Sequence, residues 1–392
     1  MSIGTGERRR TPFRSLLLIT AAVLAVLSIA LGACKSSKTT PSATKTAAKT
    51  SAATSAAQSA CPPAGSATSL TGAGSTFDAP LFQKWTDQYK TTCGVENNYQ
   101  AIGSGGGITN IQNKTVDYGA SDAIMSASQE QTAVAAGGPI MHVPVTLGGA
   151  AIVANLPGIQ KGQLKLTPDL LAKIFLGQIP KWNDPAVAAV NAGLSLPSTD
   201  IAVVHRSDGS GTTFIFTDYL SKVSADWKNG PGLGTTVNWP TGIGGQGSAG
   251  VAAQVQQVTG AIGYVEATYA IKNNIAWAAV QNSSGNYVEP TLAAISAAAS
   301  GVTLRDDMKV MVDNSSNPDA YPISGFSWAL IYQNQTDQAK AQTLANYFWW
   351  GLHEGQTFGE ALGYAKLPAD AVTKAEAEIK SMTVNGQPVK FQ

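Results

Sequence analysis

Charge is scarce in this chain. Asp, Glu, Lys and Arg make up 13% of its 392 residues, and the formal net charge is +1. Cysteine and histidine are rarer still, at three each. His142, His205 and His353 stand far apart, with no spacing suited to a shared metal, so no metal site is expected. No loop ends in the Gly-Lys-Ser/Thr of a phosphate loop. None carries the dinucleotide fingerprint with its following acidic residue, so no nucleotide and no cofactor are expected. A Gly-x-Ser-x-Gly nucleophile elbow is also missing. The few charges are unevenly spread. Residues 1–33 carry +3 and residues 35–60 carry +4 with no acid; removing both from the total of +1 leaves −6 for 61–392. A mildly acidic body argues against a nucleic-acid partner. Any anion it binds must be held by local donors.

What the chain has in quantity is apolar residues, at 44%, and glycine, at 40 residues. That is a large core with many tight loops, and the length favours two domains. Arg8, Arg9, Arg10 and Arg14 precede an apolar run from Leu16 to Leu31, the layout of a secretory signal over 1–33. The sequence Leu31-Gly32-Ala33-Cys34 resembles a bacterial lipobox, which implies lipid on Cys34 and anchoring to the outer face of the cytoplasmic membrane. An ordinary signal peptide and an uncleaved anchor are the alternatives. Residues 35–60 are Ala, Ser, Thr and Lys without an aromatic, a flexible tether. Cys61 and Cys93 remain. Outside the cytoplasm such a pair reads as a disulfide, with two unpaired thiols as the other reading.

Within the body, Ile201–Val204 reads as a buried strand and Phe214–Leu220 as the opening of a helix. Between them lies Arg206-Ser207-Asp208-Gly209-Ser210-Gly211-Thr212-Thr213. Strand, small-residue loop and helix start present backbone N–H groups and a positive helix end to an anion. Hydroxyls at Ser210, Thr212 and Thr213 and the planar fork of Arg206 add donors. For this stretch alone, a turn with a Ser/Thr helix cap is the plainer reading. Three more loops repeat the pattern: Thr71–Phe77, Gly103–Gly107, and Tyr118–Asp122 with Asp122 at its tip. In α/β sheets such loops converge at the carboxyl ends of strands, where ligands sit.

These four segments, in this order and spacing, resemble the binding segments of the phosphate-binding protein of bacterial high-affinity phosphate ABC transporters. Ile174–Gly177, Lys181–Asp184, Gly260–Glu266 and Tyr321–Ile323 resemble the family as well, so the likeness runs from about Ser69 to the C-terminus. It implies a two-lobed α/β periplasmic binding-protein fold of type II, with the ligand cleft between lobes. Lobe I would span 61–146 and 319–392, and lobe II 147–318. His142–Thr146 and Ala150–Ala154 read as strand-like runs on either side of a first crossover at Leu147–Gly149. Phe326–Tyr332 reads as the strand after the second, with helices at Ala339–Trp350 and Ala369–Ser381 and a hairpin turn at Asn385-Gly386.

Carried over residue by residue, the likeness makes Thr76, Phe77, Ser104, Ser210, Gly211 and Thr212 the phosphate donors. Arg206 becomes the charged fork and Asp208 the acid that orients it. Asp122 would accept the proton that phosphate still carries near neutral pH and sulfate lacks, so a misfit anion meets an unpaired repulsive contact. A turn residue capping the next element is the plainer reading of Asp122. Ser75 stands where Ala also occurs in the family, a change of little expected consequence. His205 is read as a rim charge or as packing. Trp85, Trp182, Trp239, Trp349 and Trp350 are read as core before carbohydrate platforms. The expectation is a non-enzymatic, monomeric, lipid-anchored extracytoplasmic receptor that hands phosphate to permease subunits. Its rivals are a receptor for another oxyanion, a secreted phosphatase using Ser210 or Thr212, and an adhesin.

Overall fold

The computed structural model describes residues 61–390; the signal segment 1–33, Cys34 and the tether 35–60 lie outside the described residues. Short runs of small and apolar residues form strands, and a helix follows each glycine-rich loop. In chain order come β1 (Ser69–Gly74), α1 (Ala79–Cys93), β2 (Glu96–Ala101), α2 (Ser104–Gln112), β3 (Tyr118–Ser121) and β4 (Ile140–Ala154). Then come β5 (Ala202–Arg206), α3 (Gly211–Val223), β6 (Ile243–Gly245), α4 (Gly247–Gln257), β7 (Ala261–Glu266) and β8 (Ser324–Tyr332).

These eight strands form one sheet in the order β2-β1-β3-β8-β4-β7-β5-β6. It has two parallel halves. β1 pairs with β2 and β3, and β5 pairs with β6 and β7, so each set sends its carboxyl ends to one edge. The long strand β4 belongs to both. Residues up to Gly149 pair antiparallel with β8, and those from Ala150 pair antiparallel with β7. The sequence puts two separate runs here; the chain instead stays extended and buried through all of 140–154. Tyr321 pins the handover by donating to the Ala150 carbonyl at 2.9 Å, while the Ala150 N–H donates to Ile323 at 2.8 Å. Pro144 sits in this central strand, where a missing N–H normally breaks the ladder. The pairing shifts there between Ser327 and Trp328, so that Thr146 and Pro144 face them and Val145 is the extra residue of a bulge.

Thr71–Gly74, read from the sequence as a turn, is the last four residues of β1. Glycine is needed there for proximity: a Cβ on Gly72 would lie 2.1 Å from the Tyr118 ring, and one on Gly74 would lie 2.1 Å from the Ala120 carbonyl. Helix α1 opens with Pro80 in its first turn and buries Leu81, Phe82, Trp85 and Tyr89 on one face. It stops at Gly94, φ 71°, in the left-handed region. Its last residue, Cys93, is disulfide-bonded to Cys61, Cα to Cα 5.2 Å. The chain closes with helices Gln338–Leu352 and Ala369–Lys380 and a hairpin turning at Asn385 and Gly386, φ 51° and 77°. Trp85 and Trp182 are wholly buried and donate to the carbonyls of Gly355 and Gly260, each at 2.9 Å. Among the described residues no helix is long and apolar enough to cross a membrane.

Helix α2 lies so close to β1 and β3 that a Cβ on Gly107 would come within 2.6 Å of the Ala120 carbonyl and 2.7 Å of the Gly74 Cα. Backbone on both sides cannot yield as a side chain can. Gly107→Ala is therefore expected to destabilise the fold by about 1–3 kcal/mol in urea unfolding, the usual cost of overpacking a full site. An unchanged midpoint would show that α2 can lift off the sheet freely.

Candidate anion-binding site

The carboxyl ends of both parallel sets carry their loops to one place, where the N-termini of α1, α2, α3 and α4 meet. The first-turn N–H groups of a helix have no partner within it, so four such ends make an enclosure of donors. Ser210 is the N-cap of α3, its Oγ accepting from the Thr213 N–H at 3.1 Å. Gly211 then brings the turn against the other half. A Cβ there would lie 2.5 Å from both Asp122 Oδ2 and Ser104 Oγ, so only glycine lets these groups converge. Across the same gap the Gly105 N–H donates to the Gly209 carbonyl at 2.9 Å.

Arg206 ends β5 with its side chain turned inward, 4% exposed. Asp208 grips it from two sides: Nε donates to Oδ1 at 2.7 Å, and Nη2 donates to Oδ2. Burial works to raise the Asp208 carboxyl, but the Arg206 hydrogen bonds and charge outweigh it. With help from the Gly247 N–H at 3.0 Å, they hold that carboxyl below its ordinary value. Tyr264, stacked on Phe216 at 4.6 Å, donates to neither acid; its hydroxyl accepts from the Arg206 N–H at 3.1 Å and pairs with the Thr213 hydroxyl at 2.6 Å. The fork is fixed before any ligand arrives.

Asp122, 1% exposed, sits at the end of β3 among hydroxyls. Its Oδ1 accepts from Ser75, and from Ser327 at 3.0 Å. Its Oδ2 accepts from Thr212 at 3.4 Å and faces Ser104 and Gly211. One oxygen is tied back and the other is aimed at the donor loops. Burial lifts this carboxyl to about 6, with Ser75, Ser327, Arg206 and Thr212 all pulling the other way. The Thr76 hydroxyl lies 3.0 Å from that of Ser248, which in turn is 3.5 Å from Arg206 Nη1. Phe77 is fully buried, its N–H donating to Ser75 Oγ at 2.9 Å.

All the residues singled out from the sequence, Thr76, Phe77, Ser104, Asp122, Arg206, Asp208, Ser210, Gly211 and Thr212, thus fall in one buried cluster. Three participants go unrecognised in the sequence. Ser248 lies in the first turn of α4, at the end of Gly244-Gly245-Gln246-Gly247-Ser248, a fifth small-residue stretch at a helix start that repeats the signal of the other four. Ser75, treated as a neutral replacement for Ala, donates to Asp122 and caps Phe77. Ser327 lies inside a strand pattern that gives no hint of it. His205 stacks on Trp239 at 4.8 Å, with Nδ1 3.0 Å from the Arg206 carbonyl, so it packs beside the fork.

Two parallel half-sheets sharing one strand, with a donor-lined enclosure where their loops meet, define a two-lobed solute-binding protein. Residues 40–349 match the model of the PBP superfamily domain. The phosphate-binding protein PstS of Xylella fastidiosa is 43% identical over 321 residues, covering 81% of this chain and 87% of that one. That of Haemophilus influenzae is 43% identical over 321 residues, covering 81% and 95%. Among solved structures, a high affinity periplasmic phosphate-binding protein bound with phosphate superposes with a TM-score of 0.65 at 24% identity, over 79% of this chain and 93% of that one. A phosphate-bound substrate-binding protein from Clostridium perfringens superposes with a TM-score of 0.55 at 20% identity, over 76% and 100%. The chain belongs to the PstS phosphate-binding protein family of the PBP superfamily.

The Asp122 carboxyl has a measurable cost. Its folded-state value, about 6, exceeds the ordinary carboxyl near 4, so the folded chain holds a proton more tightly than the unfolded chain. The stability this group allows is full below about pH 4 and falls as pH rises to about 6, by on the order of 2–3 kcal/mol. In phosphate-free buffer, Asp122→Asn is expected to melt several degrees above the parent at pH 7.5, with the gap narrowing towards pH 4. A variant that melts lower at both pH values would show that the charge stabilises the fold.

Proposed function

We propose that this protein is an extracytoplasmic receptor that captures inorganic phosphate between its two lobes and delivers it to the permease subunits of an ABC transporter. The observation that carries this is Asp122 Oδ2, a buried carboxylate oxygen pointing into a shell of N–H and O–H donors. Against a fully deprotonated oxyanion such an oxygen is repulsive. Against phosphate, whose P–OH donates to it, it completes the site. The relatives at 43% identity carry phosphate binding in their names.

In this reading Thr76, Phe77, Ser104, Ser210, Gly211 and Thr212 are donors, Arg206 supplies the charge, and Asp208 holds it in place. Lobe I is assigned to 61–146 and 319–392 and lobe II to 147–318, supported by the β4 handover at Gly149 and Ala150. The lobes close on the anion and open at the transporter. No bond is made or broken: Ser210 Oγ serves as a helix cap. The body acts as a monomer tethered by lipid on Cys34.

Calorimetry with anion-free protein at neutral pH tests the reading. Phosphate is expected to bind and sulfate to give no heat. Arg206→Ala, which removes the site's charge and leaves the half-buried Asp208 without its cation, is expected to weaken phosphate binding at least about 100-fold. Equal response to the two anions would reduce Asp122 to a turn residue. Turnover of a chromogenic phosphate ester that vanishes in Ser210→Ala would favour a phosphatase instead.

A further inference from the structure

A second carboxyl stands directly behind Asp122. Asp78 precedes α1 in the N-cap position, where an aspartate ordinarily accepts from the helix N–H groups, yet its side chain makes no capping bond. It turns inward and is fully buried. Its Oδ2 lies 2.6 Å from Ser327 Oγ, and its Oδ1 lies 3.1 Å from the Tyr99 hydroxyl. Ser327 Oγ is also 3.0 Å from Asp122 Oδ1, and the Tyr99 hydroxyl is 2.6 Å from the Ser75 carbonyl.

Counting hydrogens decides the arrangement. A serine and a tyrosine hydroxyl each have one to give. Tyr99 gives its hydrogen to Ser75, the shorter contact. Ser327 stands between two carboxyls, and a single hydrogen cannot serve both. One of the two acids must hold a proton and be the donor. Asp122 has Arg206 nearby to favour its charged form; Asp78 has no cation bonded to it. Burial, then the charge of Asp122, push the Asp78 carboxyl well above its ordinary value. The other ionisable groups facing the pair are Tyr99, Tyr118, Tyr269, Tyr364 and Glu266. Burial raises every one of them, which keeps the four tyrosines neutral near pH 7 and disfavours a charge on Glu266.

We propose that Asp78 is a positioning residue of the anion site: a neutral carboxylic acid that donates to Ser327, so that Ser327 donates to Asp122. This rests on the phosphate reading above. In this chain of bonds Asp78 Oδ2–H points at Ser327 Oγ, and Ser327 Oγ–H points at Asp122 Oδ1. Asp122 keeps its charge, and its Oδ2 stays available to the proton of the ligand. An ionised Asp78 would take the Ser327 hydrogen for itself and place a second negative charge one hydroxyl away from an anion site. Ser327 lies where the pairing of β8 with β4 shifts, opposite the bulge at Val145.

The test combines infrared spectroscopy with calorimetry on the full chain. In the difference spectrum between parent and Asp78→Asn at pH 7.5, the carbonyl band of a protonated carboxyl is expected; groups common to both proteins cancel. Ser327→Ala is expected to weaken phosphate binding about tenfold and to move the acid limb of its pH profile upward, since Asp122 loses a donor. Asp78→Ala is expected to move that limb the same way, and Asp78→Asn, which keeps a neutral donor, to restore it. Adding Asp78→Ala to Ser327→Ala is expected to change little further, because the effect passes through Ser327. An ionised-carboxylate band in the difference spectrum overturns the proposal. So does an Asn variant as impaired as Ala, or additive losses in the double variant. Should Asp78→Ala not fold, the spectrum and Ser327→Ala decide alone. A parent that fails to bind phosphate overturns the phosphate reading, and the positioning role with it. The infrared band still reports where the proton resides.

Discussion

One buried negative charge, on Asp122, faces inward among groups that all want to donate. Moving a carboxylate out of water is expensive unless hydrogen bonds replace the water it loses. Ser75, Ser327 and Thr212 supply them here, yet the group remains harder to ionise than in solution. Much of the surrounding architecture follows from keeping this charge where it is. Glycine at 211 leaves room for its second oxygen, glycine at 107 brings α2 against the strand that carries it, and a serine opposite the bulge in the central strands donates to it. A site built this way depends on the direction of its bonds. Arg206 is neutralised by Asp208, so the formal charge of the cluster is negative before a ligand arrives. Attraction by net charge is ruled out twice, by the cluster and by the acidic body around it. What holds an anion is the alignment of helix ends and hydroxyls inside a poorly polarisable interior, where each dipole counts for more than in water.

The fold is legible in the sequence to the extent that local pattern carries it. The loops before α1, α2 and α3 announce themselves because glycine and hydroxyl residues interrupt apolar runs, and the structure places a helix start at each. Strand ends are harder to read. Gly72 and Gly74 look like turn residues, but they belong to a strand that uses its missing side chains to let Tyr118 and the Ala120 backbone come close. That requirement is tertiary and has no local mark. The two runs around Leu147–Gly149 look like two strands, because glycines suggest a break. Partners on both sides keep the backbone extended through them.

The site divides along the same line. Residues on helix-start loops are visible in advance, and Ser248 would have been found by applying the same rule once more. Ser327 and Asp78 would not. Ser327 lies in a buried strand, and its two acid partners come from distant parts of the chain that only the folded sheet brings to it. Asp78 looks like any helix cap until its side chain is seen to turn away from the helix.

The Cys61–Cys93 bond joins residues 32 apart in sequence. Between them runs β1, which delivers Ser75 to the site. Any pull transmitted along the chain from before Cys61 enters the body at the disulfide and passes to the C-terminal end of α1. The strand that carries the ligand loop lies on the far side of that covalent shortcut. It is mechanically shielded, so a load arriving ahead of Cys61 strains the disulfide and the end of a helix before it strains the binding geometry.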